Sequence, residues 1–132
     1  MPVFYNRVER INPAQPAAPK KWYPVLKSTG LMKEKEVAKL LADETTLNPK
    51  EAEMAVSQLM KVVTAALLNG STVQLGELGS FRLTASTAGS DTKEGVSAAN
   101  IKKVNVRFTE SEDLKNALKK AKFMDAASMS GK

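Results

Sequence analysis

The sequence of 132 residues contains neither cysteine nor histidine. The chain therefore has no disulfide framework, no structural zinc site built from the usual ligands, and no thiol or imidazole catalysis. Serine, carboxylate and lysine chemistry would have to proceed without the most common general base, and no grouping of these residues resembles a catalytic site. We expect a protein that is not an enzyme, with no catalytic residue, metal, cofactor or small-molecule substrate.

Long apolar runs are also absent. The longest is the stretch Ala65–Leu68, whereas a membrane-spanning helix needs roughly 20 apolar residues. The first residues, Met1 to Arg7, turn polar at once and do not resemble a signal peptide. The sequence therefore predicts a cytoplasmic protein with no membrane partner.

Positive charge is in excess but unevenly spread. The chain has 20 Lys+Arg against 14 Asp+Glu, a formal net charge of +6. This balance favours an anionic partner, with nucleic acid or a membrane surface as the leading candidates. The net charge is +4 over residues 1–30, −1 over 31–70, +2 over 71–108 and +1 over 109–132.

The first thirty residues differ in composition from the rest. Val3–Ile11 and Trp22–Thr29 are rich in aromatic and β-branched residues, which predicts two strands. Three prolines within residues 12–19 forbid a helix and favour an extended connection between these strands.

Two amphipathic helices are predicted next, over about residues 32–44 and 49–69. Asn48, Pro49 and Glu51 form the pattern of a capping box with proline at the first helical position. Gly70 then suits the left-handed position that ends a helix.

The apolar period changes from 3.6 to 2 after Gly70, which predicts strands near residues 72–75, 80–85 and 101–108. Residues 86–100 are small and polar, and are predicted to form a flexible excursion between the last two strands. The capping-box pattern of residues 109–112 predicts a third helix, followed by a frayed tail. This order of elements indicates an α+β fold.

An ordered set of short motifs runs through residues 31–123. It consists of Gly70-Ser71-Thr72-Val73-Gln74-Leu75, Leu78-Gly79-Ser80-Phe81, Val106-Arg107-Phe108 and Leu114-Lys115-x-x-Leu118. The set resembles the HU and integration-host-factor family of bacterial histone-like DNA-binding proteins, and looks closest to a divergent branch with an N-terminal extension.

The resemblance implies a particular architecture. Two N-terminal helices, a three-stranded antiparallel sheet with a protruding β-arm at about residues 84–106, and a C-terminal helix form the HU-like domain of residues 31–123. A two-strand extension, residues 1–30, precedes this domain, and a flexible tail, residues 124–132, follows it.

The resemblance also implies a function: a homodimer that binds double-stranded DNA in the nucleoid. In such proteins a β-arm enters the minor groove and lays cations along phosphates. No helix here carries Asn, Gln and Arg at groove spacing, so sequence-specific readout is not implied. The positions implied to contact DNA are Arg82, Lys93, Lys102, Lys103 and Arg107.

The arm departs from the family pattern at its tip. The family's arm typically carries a proline that wedges between base pairs, whereas residues 71–132 contain none. Val96, Ala98 and Ala99 are poor substitutes, and phosphates would repel Asp91 and Glu94. We therefore expect moderate affinity and weak bending. The alternative is a dimeric protein-interaction module on an HU-like fold, with residual DNA affinity.

The aromatic residues near the N-terminus have two interpretations. Phe4, Tyr5, Trp22 and Tyr23 flank Lys20-Lys21, a mixture that could stack on the bases of single-stranded nucleic acid. The interpretation favoured by the neighbouring apolar residues is that these side chains cover the core or pair as a two-stranded β element beside it. The lysines of the last helix likewise could contact phosphates or simply face solvent.

Overall fold

The α+β fold expected from the sequence is confirmed in the computed structural model, which describes residues 2–129. These residues form three α-helices and two three-stranded sheets. In chain order the elements are β1 (Val3–Arg10), β2 (Lys21–Lys27), α1 (Glu34–Asp43), α2 (Pro49–Leu68), β3 (Val73–Leu75), β4 (Gly79–Thr87), β5 (Ile101–Glu110), α3 (Glu112–Leu118) and β6 (Phe123–Asp125). The chain divides into a terminal unit, residues 1–32 and 118–132, and a central unit, residues 33–117.

The sheet of the terminal unit has the strand order β2-β1-β6. β1 and β2 are antiparallel, and their register runs from Phe4 opposite Lys27 to Arg10 opposite Lys21. The connection between them is two successive hydrogen-bonded turns, Asn12 to Gln15 and Gln15 to Ala18, instead of the extended segment that the sequence predicted. Proline occupies the second position of both turns, where its fixed φ suits a β-turn.

The third strand of this sheet comes from the far end of the chain. β6 pairs in parallel with β1, and the amide nitrogen of Val3 donates to the carbonyl oxygen of Lys122 at 2.7 Å. Arg7 Nε lies 2.7 Å from Asp125 Oδ2, which ties the same two strands together. A short 3-10 helix, Ala126–Met129, follows β6. Thus β6 and this helix occupy most of the segment predicted as a tail, and residues 130–132 lie outside the described residues.

In the central unit, α2 begins and ends where the sequence predicts. Asn48 Oδ1 accepts from the amide nitrogen of Glu51 at 2.8 Å, and Glu51 Oε1 accepts from the amide nitrogen of Asn48 at 3.2 Å. This reciprocal pair is the predicted capping box, with Pro49 at the first helical position. The helix ends at Leu68, and Gly70 adopts a φ of +83° just beyond it.

The sheet of the central unit is antiparallel throughout, in the order β3-β4-β5. Gly79, at the start of β4, has a φ of +147°. A Cβ at this position would collide with the carbonyl oxygen of Thr109 and the ring of Phe108. The close approach of β4 and β5 therefore requires glycine at this position, for both conformation and space.

Very little of the apolar side-chain surface is buried. Within residues 2–129 the buried apolar residues are three alanines and one leucine, Ala38, Ala52, Leu67 and Ala126. Many larger apolar side chains of α1, α2 and β5 are exposed, among them Met54 at 71% and Leu68 at 78%. Because burial of such side chains supplies the main driving force for folding, the central unit has an incomplete core when taken as one copy.

Candidate nucleic-acid interface

The hairpin of β4 and β5 contains most of the predicted DNA-binding residues. Its register runs from Gly79 opposite Glu110 to Thr87 opposite Ile101. Since directly paired residues share a face and neighbours along a strand alternate, this register assigns each side chain to one of two faces.

One face of the hairpin is polar and cationic. Going outward from the start of β4, it carries the pairs Ser80/Thr109, Arg82/Arg107, Thr84/Asn105 and Ser86/Lys103. These described residues include three cations and no carboxylate. We call this set the cationic face. Lys103 and Arg107 are four residues apart on β5, a span of about 13 Å at the rise of a β-strand.

The cationic face contains a close pair of like charges. Arg82 and Arg107 lie directly opposite each other across the two strands, a position that places Cβ atoms about 4.5–5.5 Å apart. Both side chains are exposed, and within the described chain neither forms an ion pair with a carboxylate. Like charges in this position destabilise a sheet, so a bound anion between them would be favoured.

The other face of the hairpin is apolar. It carries Phe81/Phe108, Leu83/Val106 and Ala85/Val104. The two phenylalanine rings lie with centroids 5.0 Å apart at an interplanar angle of 49°. Leu83, Val104, Val106 and Phe108 are all exposed, Val106 at 56%. We call this set the apolar face.

Two of the predicted DNA-binding residues lie outside the paired cationic face. Lys103 pairs with Ser86 and Ile101 pairs with Thr87, which leaves Lys102 between them as the unpaired residue of a β-bulge. Lys93 lies in the distal loop, residues 88–100, in a turn closed by a hydrogen bond from the amide nitrogen of Gly95 to Thr92 Oγ1 at 3.1 Å. Lys93 and Lys102 are both exposed.

The distal loop is ordered by its own hydrogen bonds. The amide nitrogen of Ala88 donates to the carbonyl oxygen of Asn100 at 2.8 Å, and Asn100 Nδ2 donates back to the carbonyl oxygen of Ala88 at 3.0 Å. These bonds close the loop at its base. Val96 is 61% exposed within it, and Asp91 and Glu94 are exposed as well.

The structure therefore brings Arg82, Lys103 and Arg107 together on one face, with Lys102 at its distal edge and Lys93 in the loop beyond. Sequence reasoning missed the uncharged members of this face, which can donate hydrogen bonds to phosphate oxygens. They are Ser80, Thr84, Ser86, Asn105 and Thr109. The period-2 alternation of β4 and β5 was the signal in the sequence that could have found them. Assigning them to the cationic face also required the pairing register and the position of the bulge.

Two broader features bear on function. None of the helices in residues 2–129 combines the length and apolar character that crossing a bilayer requires. Nor does any part of the described chain group three or more His, Cys, Asp or Glu side chains so that they could hold a metal ion.

Comparison with known proteins supports the HU resemblance. The model of the HU-HIG family, described as an HU domain fused to a wHTH, Ig or glycine-rich motif, matches residues 1–125. The chain is also similar to the crystal structure of a "Putative bacterial DNA binding protein" from Bacteroides vulgatus ATCC 8482. That likeness has a TM-score of 0.66 at 15% identity and covers 94% of this chain and 48% of the other. No curated protein matches in sequence.

Proposed function

This chain belongs to the HU-HIG family, and from that premise we propose that it is an architectural protein that binds double-stranded DNA. The cationic face is the observation that carries the proposal. It presents Arg82, Lys103 and Arg107 to phosphates, with Lys102 and Lys93 extending the contact toward the distal loop. The name of the Bacteroides vulgatus protein agrees with this function, although our chain spans about half the length of that protein.

The proposed binding depends little on DNA sequence. Arg82, Lys103 and Arg107 are surrounded by Ser and Thr hydroxyls, which suit phosphate and sugar contacts and do not distinguish base pairs. The hairpin therefore follows the backbone and the minor groove, where the pattern of base edges is degenerate. We place the protein in the nucleoid for this reason.

The proposed complex bends DNA weakly. Kinking the duplex requires an apolar wedge between base steps, and residues 71–132 contain no proline. Val96 is the largest apolar side chain of the distal loop, and Asp91 and Glu94 lie close to it in sequence and would be repelled by phosphates. A fluorescence assay of bending that reports a sharp kink on a nicked duplex would contradict this part of the proposal.

The functional species in this proposal is a homodimer. The apolar face and the exposed side chains of α2, including Met54, Met60 and Val62, leave the central unit without a complete core. A second copy that covers these surfaces would supply the missing burial, as expected for obligate dimers with large apolar interfaces. The two hairpins would then present two cationic faces to one duplex.

A salt titration of duplex binding tests the proposal. Each phosphate contact contributes about 0.9 to the slope of log affinity against log salt. The three cations of the cationic face on each of two protomers therefore predict a slope of about −5 for fluorescence anisotropy of a labelled duplex, and contacts by Lys93 and Lys102 would make it steeper. The double substitution K102E/K103E should weaken binding to all duplex sequences alike. No binding at low salt would reject the proposal.

A protein-interaction module is the second candidate function. It is favoured by the charge of the central unit, which holds eleven Lys or Arg against twelve Asp or Glu, a net −1. In that case the exposed apolar surfaces bind a different protein and DNA affinity is residual. The same titration separates the two, because a salt slope near zero together with weak binding fits only the second candidate.

A further inference from the structure

We propose that the sheet of the terminal unit carries a second DNA-binding surface, on the face opposite to Trp22, which contacts the phosphates of duplex DNA. This proposal rests on the proposed function, since the partner is the same duplex, but it assigns a contact surface to a different unit of the chain. The supporting observation is the way in which strand register sorts charge between the two faces of this sheet.

The carboxylates of the terminal unit lie on one face of its sheet. Glu9 lies opposite Trp22, and Asp125 lies opposite Tyr5. Arg7 shares this face and forms its ion pair with Asp125. Since paired residues share a face and neighbours along a strand alternate, the face that contains Trp22 holds two carboxylates and one arginine that is already paired.

The opposite face carries cations and, among the described residues, no carboxylate. Arg10 and Lys21 are directly opposed on β1 and β2, and Lys27 ends β2 on the same face. Lys122 directly precedes Phe123 of β6, so alternation places it on this face as well. All four cations are exposed, and within the described chain none of them forms an ion pair. We call this set, Arg10, Lys21, Lys27 and Lys122, the basic terminal face.

The basic terminal face is long enough to contact several phosphates. Lys21 and Lys27 are six residues apart on β2, a span of about 20 Å at the rise of a β-strand. Between them the same face carries Asn6 and Tyr23, both exposed, whose amide and hydroxyl groups can donate hydrogen bonds to phosphate oxygens. Duplex DNA carries one negative charge per about 1.7 Å of its axis, so this span covers roughly a dozen phosphates.

Arg10 and Lys21 repeat the local arrangement found on the hairpin. Like Arg82 and Arg107, they are like charges in directly opposed positions of two antiparallel strands. Such a pair destabilises a sheet, and an anion bound between the two side chains removes the repulsion. The shared arrangement is the reason for assigning the same partner to both surfaces.

The overall charge of the terminal unit also favours a polyanion. Among the described residues this unit holds eight Lys or Arg and two Asp or Glu, a net +6, whereas the central unit has a net −1. Long-range attraction follows the summed field of the charges. The unit with the basic terminal face is therefore the one that attracts DNA from a distance.

An anionic lipid surface is the competing partner, and the arrangement of apolar side chains argues against it. The three most exposed apolar side chains of this sheet, Trp22, Leu26 and Phe123, lie on the face opposite to the cations. Trp22 is 67% exposed, so it does not cover the core, although it pairs within the two-stranded element that the sequence allowed. If these side chains inserted into a bilayer, the basic terminal face would point away from the headgroups. Apolar insertion and electrostatic attraction would then not act on the same side.

Salt titration of full-length variants tests this surface, with fluorescence anisotropy of a labelled duplex as the measurement. The double substitution Arg10→Gln/Lys21→Gln removes two cations of the basic terminal face, and R10K/K21R keeps both charges. Lys35→Gln/Lys39→Gln is the matched control, because it removes the same charge from exposed positions of α1. Glu9→Gln changes the charge on the other face of the same sheet.

We expect R10Q/K21Q to reduce the salt slope, because two phosphate contacts are lost from each protomer. For a dimer the slope should become shallower by about 4. The slopes of R10K/K21R, K35Q/K39Q and Glu9→Gln should equal that of the parent protein within error. The unfolding free energy of R10Q/K21Q in urea should not fall, since the substitution removes a repulsion.

The two proposals fail in different ways. An unchanged salt slope in R10Q/K21Q, in a protein that loses duplex affinity through K102E/K103E, would overturn the second surface and leave the hairpin site intact. Duplex binding that R10Q/K21Q weakens and K102E/K103E does not would instead overturn the hairpin site. No duplex binding at low salt would reject both.

Two further results would overturn the second surface. An equal change of slope in K35Q/K39Q would show that binding follows net charge and not this face. Vesicles of equal parts phosphatidylserine and phosphatidylcholine test the lipid alternative by cosedimentation. Vesicle binding that R10Q/K21Q abolishes, together with an unchanged duplex slope, would identify a lipid surface as the partner.

Discussion

Removing one arginine of the Arg82/Arg107 pair should stabilise the fold while it weakens DNA binding. The two guanidinium groups belong to directly opposed residues of β4 and β5 and have no described carboxylate partner. Opposed like charges cost roughly 0.2–1 kcal/mol in a sheet. Because both side chains are exposed and salt screens them, we expect Arg107→Gln to raise the free energy of unfolding by about 0.2–0.5 kcal/mol at low salt.

A double-mutant cycle isolates the repulsion. If the two charges repel each other, Arg82→Gln and Arg107→Gln should each remove the same repulsion. The unfolding free energy of the double variant should then be little higher than that of either single variant. Urea unfolding at a fixed protein concentration measures these differences, since the stability of a dimer depends on concentration. The increase in unfolding free energy should become smaller as salt is added, because salt screens the repulsion.

DNA binding should change in the opposite direction. Arg107→Gln removes one phosphate contact from each protomer, so the salt slope of a dimer should fall by about 2. The matched control is Lys39→Gln, which removes one positive charge from α1. Its salt slope and its unfolding free energy should equal those of the parent protein within error. Destabilisation by Arg107→Gln, or an unchanged salt slope, would refute the assignment of this pair to phosphate binding.

Three further substitutions test the fold and the dimer. Gly79→Ala should lower the unfolding free energy by more than about 2 kcal/mol, because of the positive φ at this position and the contact with Thr109. The control Gly89→Ala, with open space around it, should change the unfolding free energy by less than about 0.5 kcal/mol. Equal effects of the two substitutions in urea unfolding would contradict the close approach of β4 and β5. Asn48→Ala should cost about 1–2 kcal/mol through loss of the capping box, and an unchanged urea midpoint would count against it. Val106→Glu should shift sedimentation from dimer toward monomer while Val106→Ile does not, and a dimeric Val106→Glu protein would exclude the apolar face from the interface.

The elements that the sequence predicts well are those with local causes. The bounds of α2 follow from Asn48 and Gly70, whose effects act within three or four residues of the helix end. The start of α3 was misassigned by the same kind of reasoning. Thr109 and Glu110 remain paired with β4, and Ser111 becomes the cap, with its Oγ accepting from the amide nitrogen of Leu114 at 3.0 Å.

Long-range pairing could not be predicted in the same way. β6 is only three residues long and pairs with β1, which lies about 120 residues earlier in the chain. No local pattern distinguishes such a segment from a tail, because its hydrogen-bond partners are supplied by a distant strand. The position of Phe123 beside Val3 depends on the same pairing, since only β6 joins this residue to the sheet of β1 and β2.

For the hairpin, the sequence placed Arg82 at the exit of the arm, Lys93 near its tip and Lys102, Lys103 and Arg107 on the return strand, but it could not say which of them share a face. Alternation alone assigns Lys102 and Lys103 to opposite faces, without saying which of the two shares a face with Arg82. The register across β4 and β5 decides this in favour of Lys103, and the bulge accounts for the unpaired Lys102.

Net charge and local charge lead to different conclusions for the central unit. Its net −1 would argue against nucleic-acid binding if charge were spread evenly, because long-range attraction follows the summed field. Contact energy instead depends on cations that reach phosphates, and salt screens charges beyond about 10 Å at 0.1 M. The cationic face places Arg82, Lys103 and Arg107 together with no carboxylate among its described residues, while most acidic residues of this unit lie in α1, α2, α3 and the distal loop. Duplex affinity of this unit should therefore depend on that one face and not on its overall charge, which is why single substitutions there carry the decisive tests.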